Sequence, residues 1–148
     1  MPVGKINHYS IRTPDIEATR KFYTEVVGFT VGPRPPFKFP GLWLYSGDHA
    51  SPENAVVHII GIDAADAEYE RAKRAGGNSG MSGVTGPVDH IAFSATGLSE
   101  MKAKLERMDV AHRLRTVPLT GLHQLFLEDP SGIVLELNYA AHELLHAA

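Results

Sequence analysis

The chain has 148 residues, no cysteine and a formal net charge of -3, with 14 Lys and Arg against 17 Asp and Glu. That balance gives no reason to expect nucleic acid as a partner. The longest apolar runs are too short to cross a bilayer, so no membrane partner is expected, and the lack of Cys excludes disulfides, thiolate zinc sites and cysteine nucleophiles. MPVGKINHYS (1–10) has no apolar h-region, so the expected setting is cytoplasmic, without a secretory signal.

Residues 5–12 alternate as a strand, and Pro14 and Asp15 open a helix over 15–27, with Asp15 as N-cap. Ile16, Tyr23, Val26 and Val27 form its apolar stripe, with Phe22 beside it, and Gly28 is a natural stop just past its end. FTVG (29–32) starts a second strand. RPPFKFPG (34–41) is a proline-rich loop, LWLYSG (42–47) a strand, DHASPEN (48–54) a polar connection and AVVHIIGI (55–62) a closing strand. The order is βαβββ. DAADAEYERAKRAGG (63–77) reads as a solvated connecting helix and GNSGMSGVTGP (77–87) as a Gly/Ser-rich linker. The order then repeats: strand 88–95, helix 97–109 with the stripe Leu98, Met101, Leu105 and Met108, then strands 112–118, 122–128 and 133–139. AAHELLHAA (140–148) reads as a short terminal helix. The expected organisation is a first module at 1–62, a linker at 63–87 and a second module with the terminal helix at 88–148.

The repeat is visible residue by residue. At an offset of 82, INHYSIRTPDIE (6–17) falls on VDHIAFSATGLS (88–99) and His8 falls on His90. The closing strands also correspond, AVVHII (55–60) with IVLELN (133–138), placing His58 opposite Glu136. Side chains alternate across a strand. In each of these four strands the candidate residue lies opposite the bulky apolar positions, such as Tyr9 and Ile11, Val57 and Ile59, Ile91 and Phe93, and Leu135 and Leu137. The bulky faces should pack on the helices and leave the four candidates on the other, concave face. Glu136 within IVLEL is costly to bury unless paired or metal-bound, and His8 and His90 offer a partner through a metal. Any such metal would rest on imidazole and carboxylate, which suit iron, manganese, zinc, nickel or cobalt.

One histidine in a strand is more often a hydrogen-bonded, half-buried residue than a ligand. Recurrence at matching positions is what singles out this set and suggests one site assembled between the copies. The other histidines lack that support. His49 sits in a loop, His112 at a helix-to-strand junction, and His142 and His146 lie four apart without a third ligand near in sequence.

The paired βαβββ units, FYTEVVGF (22–29), the two histidine strands and LFLEDPSGIVLEL (125–137) resemble the vicinal oxygen chelate superfamily, the group of glyoxalases, bleomycin-resistance proteins and extradiol dioxygenases. The resemblance covers nearly all of the chain outside 63–87. It implies an α+β fold whose two modules form a partly open mixed β-sheet barrel with helices outside, around a divalent metal that small substrates chelate through two neighbouring oxygens. By that likeness the metal ligands are His8, His90 and Glu136, with His58 at the fourth position, where bacterial-type glyoxalases carry Glu and related epimerases Gln. Family members of this size are commonly homodimers, and Leu144 and Leu145 are available either for such a contact or to cap the core.

Two histidines and one carboxylate form the facial set of non-haem Fe(II) oxygenases. The leading expectation is therefore an Fe(II) or Mn(II) ring-cleaving dioxygenase for a catechol-like compound. His58, or else His123, would be the acid/base. Phe37, Phe39, Trp43 and Tyr45 would wall the substrate, with 34–41 as a lid. A turn role for His123 and a stiffening role for the loop stand beside these readings. The alternative is a glyoxalase- or epimerase-type lyase or isomerase using Ni(II), Co(II) or Zn(II), with His58 as fourth ligand. A metal-free, drug-binding protein is a further alternative, which retention of His, His and Glu argues against.

Overall fold

A computed structural model describes residues 5–65, 88 and 90–143. Most of the expected connecting helix, the linker, and His146, Leu144 and Leu145 of the expected terminal helix lie outside these residues. The chain divides into two compact units, Met1–Gly76 and Gly77–Ala148.

In the first unit β1 (Tyr9–Thr13) leads to α1 (Ile16–Lys21). Asp15 caps α1 as expected, its carboxylate accepting from the Ala18 N–H at 2.9 Å. The helix then widens into a π-helical turn, Phe22–Val27, which the 3.6-residue pattern does not disclose. The Tyr23 carbonyl accepts from both Gly28 and Phe29, at 3.1 and 2.8 Å, and Phe22, Tyr23 and Val26 are all buried. Gly28 ends the turn at φ 96°, a left-handed conformation that glycine adopts without a Cβ clash. β2 (Thr30–Gly32), β3 (Gly41–Tyr45) and β4 (Val57–Gly61) follow, with a short 3₁₀ turn at Pro52–Asn54. The sheet order is β1-β4-β3-β2, with β1 parallel to β4 and the other pairs antiparallel. Ile11, Leu44, Val57 and Ile59 form the buried face.

The second unit repeats this plan with β5 (Ile91–Ser94), α2 (Leu98–Arg107), β6 (His112–Thr116), β7 (His123–Glu128) and β8 (Val134–Tyr139), in the order β5-β8-β7-β6. Leu98 and Leu105 are the buried residues of α2, and Leu125, Leu127, Leu135, Leu137 and Tyr139 are the buried face of the sheet. Met108, expected in that stripe, is exposed instead, because the chain has already left helical geometry there. The expected terminal helix is a turn through Ala141 and His142 as far as it is described, and Glu143 after it closes the start of α2. Its carboxylate accepts from the Gly97 and Leu98 N–H groups, both at 2.8 Å, satisfying donors that every helix start leaves open.

The fold class is thus α+β, two βαβββ modules each with an open four-stranded mixed sheet. Among the described residues, no helix is long and apolar enough to cross a membrane.

Candidate functional site

The register of the two sheets confirms the internal correspondence. Ser10 pairs with His58 across β1 and β4, and Ala92 pairs with Glu136 across β5 and β8. His8 and His90 each lie two residues before the β1 or β5 partner, diagonal to His58 and to Glu136. Both histidines sit just outside their strands, which begin at Tyr9 and Ile91, later than the alternation implied. Across β3 and β7 the corresponding partners are Trp43 for His58 and Phe126 for Glu136.

In the first unit His8, His58 and Trp43 form a stack of three rings. His58 lies 3.9 Å from Trp43 with 4° between planes, and 3.8 Å from His8 with 20° between planes. Burial, and secondarily the neighbouring His8, hold the His58 imidazole below its ordinary pKa, while a hydrogen bond to Ala55 opposes them. Its neutral form is therefore favoured, as a ligand or a base requires. His8 Nδ1 lies 2.6 Å from Asn7 Oδ1. Donation to that oxygen leaves Nε2 with the lone pair that a metal needs.

In the second unit His90 Nε2 and Glu136 Oε2 are 3.2 Å apart. Glu136 is only 6% exposed although it sits between Leu135 and Leu137. Its other oxygen, Oε1, accepts from Gln124 Nε2 at 2.9 Å and Asn138 Nδ2 at 2.7 Å. These two amides were not singled out in the sequence. Asn138 shares a strand face with Glu136 by alternation, but Gln124 becomes visible only once the β7–β8 register is known. The buried carboxylate thus finds direct partners and does not depend on a metal for its satisfaction.

The two pairs fit a metal differently. Two donors each about 2.1 Å from one ion, at about 90–110°, stand about 3.0–3.4 Å apart. His90 and Glu136 already show that spacing. A metal also lies near the plane of each imidazole it binds. The planes of His8 and His58, 3.8 Å apart and inclined by 20°, converge only at a distance. One ring must turn for both to bind one ion. His58 is clamped on Trp43, so that ring is His8. Within each unit the described residues bring together two candidate ligands.

Phe37 and Phe39 stack at 5.1 Å, Phe37 lies 6.4 Å from Trp43, and the Arg34 guanidinium sits within 5.0 Å of both phenylalanine rings. Trp43, Phe37 and Phe39 therefore form a continuous aromatic surface beside His58. Tyr45 does not join it. Its hydroxyl donates to the Pro33 carbonyl at 2.7 Å, and its ring fills the space beside Gly32, where any Cβ would come within 2.6 Å of it. His123 is also elsewhere. It shares the core-facing alternation of Leu125 and Leu127, opposite Tyr139, and its Nδ1 lies 2.9 Å from Thr116 Oγ1. The structure does not bring it to the face that carries His90 and Glu136. His49 bonds Thr30, and His112 bonds the Val110 carbonyl.

Residues 5–137 match the family model of the Glyoxalase/Bleomycin resistance protein/Dioxygenase superfamily, and the chain belongs to that superfamily. Among its relatives is the mitochondrial methylmalonyl-CoA epimerase of Bos taurus, 28% identical over 138 residues, 93% of this chain and 75% of the relative. The Arabidopsis thaliana protein Glyoxylase I 4 is 27% identical over 136 residues, 89% of this chain and 68% of that one. The crystal structure of a glyoxalase family protein from Bacillus anthracis shares the fold, with a TM-score of 0.65 at 21% identity over 95% of this chain and 98% of the other. Members of the superfamily typically use a divalent metal and act on small molecules. These relatives back the epimerase- and glyoxalase-type expectation better than the ring-cleaving one.

Proposed function

We propose that this protein is a divalent-metal-dependent isomerase or lyase of the epimerase and glyoxalase type. Its substrate would be a small molecule with two neighbouring oxygens beside an acidic C–H. His8, His58, His90 and Glu136 are the proposed ligands. The observation that carries the reading is the state of Glu136. One oxygen is saturated by Gln124 and Asn138, and the other is held 3.2 Å from His90 Nε2. That leaves Oε2 as the atom able to hold a metal or take a proton.

A bound divalent ion supplies a Lewis acid that polarises a substrate carbonyl. The chain supplies the rest. The two amides fix the orientation of the Glu136 carboxylate, His90 faces its working oxygen, and His58 is kept neutral on Trp43. The aromatic surface of Trp43, Phe37 and Phe39 offers apolar contact to the body of the substrate.

The test uses two thioesters with a C–H beside the carbonyl. Protein loaded with Co(II), Ni(II) or Zn(II) is incubated in D₂O with methylmalonyl-CoA, and separately with lactoylglutathione, and deuterium at the carbon beside the carbonyl is read by mass spectrometry. Metal-dependent incorporation with either compound is the expected result. No incorporation with either, together with oxygen uptake on catechols by the Fe(II)-loaded protein, would replace this reading with the ring-cleaving one.

A further inference from the structure

The two sheets match position by position on the face of the candidate ligands, yet they differ at one edge. Opposite Trp43, the edge strand β2 presents Gly32, which has no side chain. Opposite Phe126, the edge strand β6 presents Arg113, with Arg115 two residues on along the same face. The Arg113 guanidinium lies over the Phe126 ring at 4.6 Å, and that ring stands edge-on to His90 at 6.2 Å. The charge is therefore turned inward over the sheet, toward the His90–Glu136 pair. Glu128 shares this face, yet among the described residues Arg113 makes no ion pair with it or with any other carboxylate. Stacking on an aromatic ring leaves the planar N–H fork of an arginine able to take a carboxylate or phosphate.

We propose that Arg113 is a specificity residue of the proposed site, selecting substrates that carry an anionic carboxylate or phosphate group remote from their metal-chelating oxygens. This rests on the proposed function. The Arg113 guanidinium carbon lies no farther from the His90 ring than the 6.2 and 4.6 Å steps laid end to end, and the anion would be held one hydrogen-bonded contact from it. Arg115, which pairs with Gln124 in register, extends the positive edge toward the same anion.

The probes are hydroxamates, which chelate metals through two neighbouring oxygens. They are built on four- to eight-carbon chains ending in a carboxylate, a phosphonate or a methyl ester. Binding to metal-loaded wild type, Arg113→Met and Arg113→Lys is measured by calorimetry, with metal content checked in each. Methionine keeps the aliphatic cover over Phe126, and lysine keeps the charge without the fork. Wild type should bind at least one anionic probe about tenfold tighter than its ester, as a charge-assisted hydrogen bond permits. Arg113→Met should bring that ratio to about one, and Arg113→Lys should fall between. A carboxylate preference and a phosphonate preference would distinguish the two natural sources of the anion. An unchanged ratio in Arg113→Met, or no preference in wild type, would overturn the role of Arg113 while leaving the metal site standing. Wild type that takes up no metal would overturn the proposed function and this inference together.

Discussion

Replacing Gln124 and Asn138 together by leucine removes both donors to Glu136 Oε1 while nearly preserving side-chain volume. The two bonds, 2.9 and 2.7 Å long, reach an oxygen of a carboxylate that is 6% exposed. A hydrogen bond to a charged group contributes about 1.5–3 kcal/mol, and a buried charge left without its donors costs at least as much. The two amides also approach each other, at 3.4 Å, so their contributions couple and the single losses should not simply add. The expected cost is about 1.5–3 kcal/mol for Asn138→Leu and about 3–5 kcal/mol for the double variant, read from urea unfolding at pH 7. Metal affinity should fall about 10–100-fold, because the orientation of the ligand is lost. A double variant within about 0.5 kcal/mol of wild type at pH 7 would refute the assignment of these amides as the partners of Glu136.

Three further outcomes follow from other parts of the structure. Trp43 is the chain's one tryptophan and lies under His58, so metal binding that turns His8 out of the stack should change its emission, and His8→Ala should abolish the change. Stoichiometric metal uptake with unaltered Trp43 fluorescence would contradict the stacked metal-free arrangement. The Tyr139 hydroxyl is buried without a partner among the described residues, and burial, with Glu143 nearby, pushes its pKa up to about 12. The folded state therefore holds its proton where the unfolded chain, near 10, has lost it, so stability should decline as pH rises from about 10 to 12. Tyr139→Phe should flatten that decline and be at least as stable at pH 7, as thermal melts across this range would show. Glu143→Ala leaves two N–H groups at the start of α2 open and should cost about 1 kcal/mol, with faster amide exchange at Gly97 and Leu98.

Much of the fold was legible because its signals are local. Asp15 and Gly28 bound the first helix as their capping chemistry dictates, and alternation in β4 and β8 put His58 and Glu136 opposite the core, while His8 and His90 fall just ahead of β1 and β5. The 82-residue offset carried the correspondence of the units. What escaped depends on register or on distant contacts. The π-helical turn at Phe22–Val27 buries Phe22, Tyr23 and Val26 just as an ordinary helical stripe would, so the apolar pattern does not reveal it. Gln124 and Arg113 acquire meaning only when β7 is paired with β8 and β6. Glu143 caps a helix that begins 45 residues before it in the chain. Tyr45 has the right alternation for an aromatic wall, but Gly32 leaves a gap that its ring fills. His123 has the right chemistry and the wrong parity.

The most direct measurement is metal content after loading and gel filtration, compared for wild type, His8→Ala, His90→Ala and Glu136→Gln. Wild type should hold about one divalent ion per chain, and His90→Ala and Glu136→Gln should lose it. His8→Ala should bind more weakly, with all four proteins folded by circular dichroism. Wild type that binds no ion, or an ion retained in both His90→Ala and Glu136→Gln, would contradict the proposed ligands.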